Sequence, residues 1–293
     1  MNAPAALHEV RLAIESGTLA ALRTTGGGSD HRVLALHGWL DNAASFVPLA
    51  ARLPGVDLVA LDLPGHGRSD HLPPGAEYSL AGTVHAVLDA ADALGWDRFA
   101  VVGHSMGASI GCLVAAAAPA RVSRLVAIEG LGALADAEER TASRLREAVA
   151  ARRALRGKQL RVFPDVDDAV RARMQASLIG ESKLGEPLVR MLVERGLRPV
   201  DGGHAWSSDP RLTLSTPTRM TEGQVRDLLR GLACPVLVVY AEPAQPYFPE
   251  PLRSERAALP VDARMVRLPG GHHLHMDQPN TVGDVVAPFL ADG

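Results

Sequence analysis

The apolar run Phe99-Ala100-Val101-Val102 opens directly into Gly103-His104-Ser105-Met106-Gly107, and the residues that follow, Ala108 to Ala117, are small or apolar. A buried strand, a tight turn with a serine at its tip and a buried helix are thereby predicted in immediate succession. A strand-to-helix elbow of this kind forces its tip residue into an unfavourable backbone conformation, and glycine on either side lets neighbouring backbone close in. The positive end of the helix would face the serine. Because a Gly-x-Ser-x-Gly pattern also arises at an ordinary strand–turn–helix corner, its meaning depends on what the rest of the chain supplies.

The same alternation repeats on both sides of the elbow. Val10 to Leu22 reads as one or two strands, ending at the turn Gly26-Gly27-Gly28-Ser29. Val33 to Leu36 and Leu58 to Leu61 read as buried strands with a helix from Ala43 to Leu53 between them, a helix is expected over Leu80 to Leu94, and Arg124 to Ile128 forms the next strand. Strands separated by helices imply right-handed parallel crossovers. After Gly130 the texture changes, and residues 131–230 read as helices, Ala135 to Arg156 most clearly. Strands return at Pro235 to Tyr240 and Ala263 to Leu268, before a final helix over Thr281 to Leu290. The predicted organisation is an α/β core of residues 1–130 and 231–293, with residues 131–230 inserted after the sixth strand as a helical cap over the carboxyl ends of the strands.

With 293 residues, 47% of them hydrophobic, the chain can bury the interior that such a core requires. Its formal charge of −3 suggests neither nucleic acid nor an anionic membrane as partner. A small molecule is the expected partner. Cys112 and Cys234 read as buried thiols without metal-site spacing. The start of the chain has neither a basic nor a long apolar segment, and no run reaches about 18 uninterrupted apolar residues, so the expectation is a cytoplasmic protein without membrane insertion. The insertion holds 18 basic and 14 acidic residues, a net of +4, which could greet an acidic substrate or simply form paired helix faces.

A serine hydroxyl needs a base, a group that orients the base, and donors for the oxyanion. Gly270-Gly271-His272-His273-Leu274-His275 follows the last strand, at the same sheet edge as the elbow, which makes His272 the expected base, His273 the alternative and His275 a support beneath the loop. Three neighbouring histidines also suggest a metal site, but no acidic or cysteine motif at ligand spacing accompanies them, so neither metal nor cofactor is expected. His104 is expected to pack under the turn. For the oxyanion, the backbone N–H groups of Met106, after the serine, and Trp39, in His37-Gly38-Trp39-Leu40 after an earlier strand, are the candidates. In the insertion, Gly202-Gly203-His204-Ala205-Trp206 offers an aromatic that either lines a substrate pocket or anchors the cap.

Taken in order, His37-Gly38-Trp39-Leu40-Asp41-Asn42, Leu61-Asp62-Leu63-Pro64-Gly65-His66-Gly67-Arg68-Ser69, Gly103 to Gly107 and Gly271-His272 through Pro279 resemble the α/β-hydrolase superfamily, in particular its serine-hydrolase-like branch. The resemblance implies a mostly parallel eight-stranded sheet, Ser105 as nucleophile and His272 as base. It also exposes a departure: Ala244 stands where many of these hydrolases carry the orienting aspartate, in Tyr240-Ala241-Glu242-Pro243-Ala244. Glu129, directly after the strand ending at Ile128, where some superfamily members carry their acid, is the expected replacement, with Glu242 as the alternative and a site without an acid as the third reading. Asp41, Asp62 and His66 read as loop braces. The expected function is hydrolysis of a carboxylic ester or thioester through an acyl-enzyme, with a lactonase, a carbon–carbon bond hydrolase or a non-catalytic binding protein as alternatives. A serine at position 105 argues against dehalogenase or epoxide-hydrolase chemistry.

Overall fold

The computed structural model describes residues 7–25, 31–155, 161–176 and 184–292. Among the described residues, ten strands run in chain order as β1 Leu7–Ile14, β2 Gly17–Thr24, β3 Arg32–Leu36, β4 Asp57–Leu61, β5 Phe99–His104, β6 Val122–Ile128, β7 Leu197–Val200, β8 Gly203–Trp206, β9 Val236–Glu242 and β10 Ala263–Pro269. Eight of them form one sheet in the order β1-β2-β4-β3-β5-β6-β9-β10. The β1–β2 and β2–β4 pairings are antiparallel and the others parallel. This is the α/β-hydrolase architecture expected from the sequence. Val10 to Leu22 resolves into two strands of a hairpin, whereas the Gly26 to Ser29 turn lies outside the described residues.

Helices cover both faces: α1 Val47–Ala50, α2 Leu80–Ala93, α3 Met106–Ala117, α4 Thr141–Leu155, α5 Val166–Ala176, α6 Glu186–Gly196, α7 Glu222–Arg230, α8 Leu252–Ala257, α9 Leu274–Asp277 and α10 Pro279–Ala291. Strand alternation divides the interior in two. Leu34, Leu36, Val101, Leu125 and Val238 pack on one face with α2 and α3, while Val33, Ala35, Val102, Val126 and Val239 pack on the other with α1 and α10. Central strands buried on both faces read as continuous apolar runs, which is why they were visible in the sequence.

Between β6 and β9 lies a third apolar cluster, in which Phe163, Val170, Val189, Leu192 and Val193 pack with Ala44 and Met276 of the sheet domain. The segment is not wholly helical, because β7 and β8 form a short antiparallel hairpin. Its last helix, α7, buries Val225 and Leu229 in the main core. Arg195 of α6 reaches Asp62 at 2.9 Å, and the Asn42 side chain donates to the Leu192 carbonyl at 2.8 Å. Many of the segment's arginines are spent on ion pairs, with Arg144 on Asp136, Arg171 on Asp168, Arg190 on Asp167 and Glu186, and Arg211 on Asp209. The paired-face reading of its charge therefore fits better than an anion-binding one. Among the described residues, no helix is long and apolar enough to cross a membrane.

Candidate active site

Ser105 sits between β5 and α3 with φ 52° and ψ −112°, a strained conformation for a residue with a side chain. The flanking glycines are there for space. A Cβ on Gly103 would lie 2.4 Å from the Gly107 carbonyl oxygen, and one on Gly107 would lie 1.9 Å from the Leu36 carbonyl oxygen. That second approach clamps the start of α3 against the end of β3. It brings the first N–H of α3, at Met106, beside the loop that carries Trp39. An N–H at a helix start has no carbonyl one turn earlier to accept it, so it is free to serve a ligand. The Trp39 side chain is half exposed and its Nε1–H donates to the Leu212 carbonyl at 2.9 Å, tying this loop to the segment between β6 and β9.

The loop after β10 docks against the elbow. His104 Nε2 lies 2.8 Å from the backbone oxygen of His272, and since a carbonyl can only accept, the ring nitrogen is the donor. His104 is buried and held well below the ordinary histidine pKa, by desolvation first and then by His275, His272 and His273 around it. His275 packs against His104 at 4.2 Å between ring centroids and against Phe46 at 5.3 Å, beneath the loop. Its pKa falls to about 3 through burial. His273 packs against His104 at 5.0 Å between ring centroids, with Nε2 3.1 Å from Asp41 Oδ2.

His272 Nδ1 faces two partners. Glu129 Oε2 is 3.4 Å away, and the Tyr247 hydroxyl is 2.9 Å away. Glu129 follows β6 directly, with φ 55°, and its other oxygen accepts the Ala241 N–H at 2.6 Å. Arg253, almost wholly buried, lies 3.9 Å from the same oxygen and donates to the Ala241 carbonyl at 2.8 Å. Glu242 is carried elsewhere: its side chain is 44% exposed and pairs outward with Arg267 at 3.2 Å. The strand end meets Glu129 through the Ala241 backbone N–H, and the next side chain, Glu242, is left at the surface with Arg267. Tyr247 and Arg253 were not anticipated. Tyr247 lies three residues beyond Ala244, where the missing aspartate was expected, and burial followed by Glu129 pushes its ionisation upward, leaving a neutral hydroxyl.

Two further loops brace the site. Asp62 Oδ1 accepts from the Ala43 N–H at 2.7 Å and Asp62 Oδ2 from the Arg68 N–H at 2.8 Å. His37 donates Nδ1–H to the Gly38 carbonyl at 2.8 Å and accepts the Leu63 N–H on Nε2 at 3.0 Å, which fixes it as a neutral ring. Trp206 is half-buried and packs edge-on against Phe163 at 5.2 Å, as an anchor of the inserted segment would.

The chain is similar to known proteins in sequence and fold. A profile of the alpha/beta hydrolase fold matches residues 31–279, and the chain belongs to that family. Within it the chain falls in the serine-hydrolase-like branch. It is 30% identical to the serine hydrolase-like protein of Mus musculus, over 97% of this chain and 96% of that one. Among solved structures, a hypothetical protein from Pseudomonas aeruginosa PAO1 superposes with a TM-score of 0.89 at 40% identity, covering 97% of this chain and 99% of that one. The thioesterase domain from the curacin biosynthetic pathway superposes with a TM-score of 0.81 at 26% identity, covering 96% and 99%.

Proposed function

We propose that this hydrolase cleaves a carboxylic ester or thioester by attack of Ser105 on the carbonyl carbon. His272 Nε2 takes the hydroxyl proton and returns it to the leaving group. The N–H groups of Trp39 and Met106 stabilise the oxyanion, and water activated by His272 then releases the acyl group. The observation that carries this reading is the Glu129 carboxylate 3.4 Å from His272 Nδ1, on a loop whose backbone is bonded to the residue preceding Ser105.

For His272 to act as base its proton must sit on Nδ1. Glu129 and the Tyr247 oxygen both favour that tautomer by accepting from it, with the anionic carboxylate the stronger acceptor. Glu129 is itself fixed by the Ala241 N–H and neutralised by Arg253. Residues 131–230 serve as the cap in this reading, with Trp206 as an anchor rather than a pocket wall. The thioesterase neighbour supports keeping thioesters beside esters.

A serine-directed fluorophosphonate probe tests the nucleophile, and turnover of a panel of p-nitrophenyl esters and acyl-coenzyme A thioesters tests the bond. Labelling should be stoichiometric and disappear in Ser105→Ala. A parent protein that takes no label would favour a non-catalytic binding role.

A further inference from the structure

A cluster of polar side chains lies behind the base-bearing loop, outside the chemistry assigned above. We propose that Asp41, His104 and His273 form a binding site for one divalent transition-metal ion of the zinc class. The acidic partner absent from the sequence around the histidine cluster is supplied by the loop after β3, 232 residues away from His273.

The donor atoms already converge. His273 Nε2 is 3.1 Å and His104 Nδ1 3.9 Å from Asp41 Oδ2, and all three lie within 4.8 Å of one another. Bonds of about 2.0–2.2 Å to a tetrahedral zinc place ligand atoms roughly 3.3 Å apart, so small side-chain adjustments complete the set. Protonation points the same way. Because His104 Nε2 donates to the His272 carbonyl, its Nδ1 carries a lone pair, and that nitrogen is buried without a hydrogen-bond partner among the described residues. A lone pair facing a carboxylate oxygen is repulsive unless a cation lies between them. The space is kept open by residue 38: a Cβ on Gly38 would lie 2.9 Å from His104 Nδ1 and 3.3 Å from Asp41 Oδ2.

The surroundings have the form of a second coordination shell, with the far nitrogen of His104 on a backbone carbonyl and the far oxygen of Asp41 on Arg173. Arg173 leaves Oδ2 as a single ligand atom, and its positive charge weakens cation binding, which suits an exchangeable ion. Two imidazoles and one carboxylate select zinc, cobalt, nickel or copper over magnesium or calcium. The ion would approach from the side of His273, whose side chain is 24% exposed while Asp41 and His104 are buried. Bound there, it would join the residue after His272 to the residue before Ser105.

Equilibrium dialysis of the tag-free protein against zinc chloride, with magnesium chloride as control, should give one equivalent of zinc and no magnesium. Cobalt(II) should give the intense visible bands of a tetrahedral site. His273→Ala should weaken zinc binding at least ~100-fold with near-ultraviolet circular dichroism unchanged. Asp41→Asn provides the second variant should His273→Ala fail to fold. A parent that binds no zinc, a cobalt complex without tetrahedral bands, or zinc affinity unmoved by these substitutions would each overturn the proposal and leave the cluster as a hydrogen-bond network.

Discussion

Ser105, Glu129 and Leu40 are the non-glycine residues in the left-handed backbone region among those described, and all three border the candidate site. Such conformations cost on the order of 1–3 kcal/mol each and persist where surrounding structure imposes them. Ser105→Gly removes the strain, whereas Ser105→Ala keeps it. Both should be inactive, with the glycine variant about 1 kcal/mol more stable in urea unfolding; equal stabilities would show that the elbow stores no strain. The acid is tested by two amides. In Glu129→Gln the oxygen can still accept from Ala241, but the amide N–H then faces His272 Nδ1 and forces its proton onto the wrong nitrogen. Turnover should fall roughly 10³–10⁴-fold, while Glu242→Gln stays within a few-fold of the parent. The reverse pattern in steady-state kinetics would assign the role to Glu242. Sequence favours Glu129 over Glu242 only through its resemblance to superfamily members with an acid after that strand, not through any geometry it specifies. The choice depends on where each side chain is carried at the end of its strand. Tyr247 was illegible for a related reason, because it reaches His272 from a loop whose path no periodicity specifies.

At the level of elements, the segment between β6 and β9 is fastened to the sheet domain by buried polar contacts as well as by apolar ones. Arg195 of α6 is the strongest of these. Its side chain is 6% exposed, it pairs with a fully buried Asp62, and it also reaches Glu9 at 3.2 Å. Removing one member of a buried pair strands the other charge, so Arg195→Ala should cost about 3–5 kcal/mol in urea unfolding. Arg190 also bridges two carboxylates, but at the surface, and Arg190→Ala should leave the midpoint unchanged. An Arg195→Ala midpoint as little moved as that of Arg190→Ala would mean that Asp62 finds water when Arg195 is gone. The core strands were legible as long apolar runs, as was the helix expected over Leu80 to Leu94, which the Ser79 side chain caps at the Gly82 N–H. The β7–β8 hairpin was not. Its strands have four residues each and contain Pro199, so they carry neither length nor alternation. The helix expected from Ala135 begins at Thr141 instead, after a turn of 3₁₀ helix at Glu138–Arg140.

For the molecule as a whole, the loops that frame the site are held together by histidines that must stay neutral. His37 joins the Trp39 loop to the Leu63 loop through both ring nitrogens, and burial lowers its pKa to about 4. His66, edge-on to it at 4.9 Å, is lowered to about 3, by burial first and then by His37. In the unfolded chain both return to an ordinary value of about 6.5. Below that pH the unfolded state binds protons that the folded state refuses, so their stabilising effect is complete above about pH 6.5 and declines as pH falls toward the folded values. Between about pH 7.5 and about pH 5 each histidine should cost about 2 kcal/mol, or about 4 kcal/mol together. Carboxylates do not reproduce this, because those paired in the fold, such as Asp41 and Asp209, have pKa values lowered from the ordinary range and lose their contribution only at lower pH. Urea midpoints measured across that interval should therefore fall steadily, and because His104 and His275 are lowered in the same direction and add to the effect, unfolding at about pH 5 should be accompanied by uptake of about four protons. A midpoint that stays level down to about pH 5 would mean that His37 and His66 accept protons without opening the loops they join, and the Trp39 loop would then owe its position to the close approach of α3 to β3 alone.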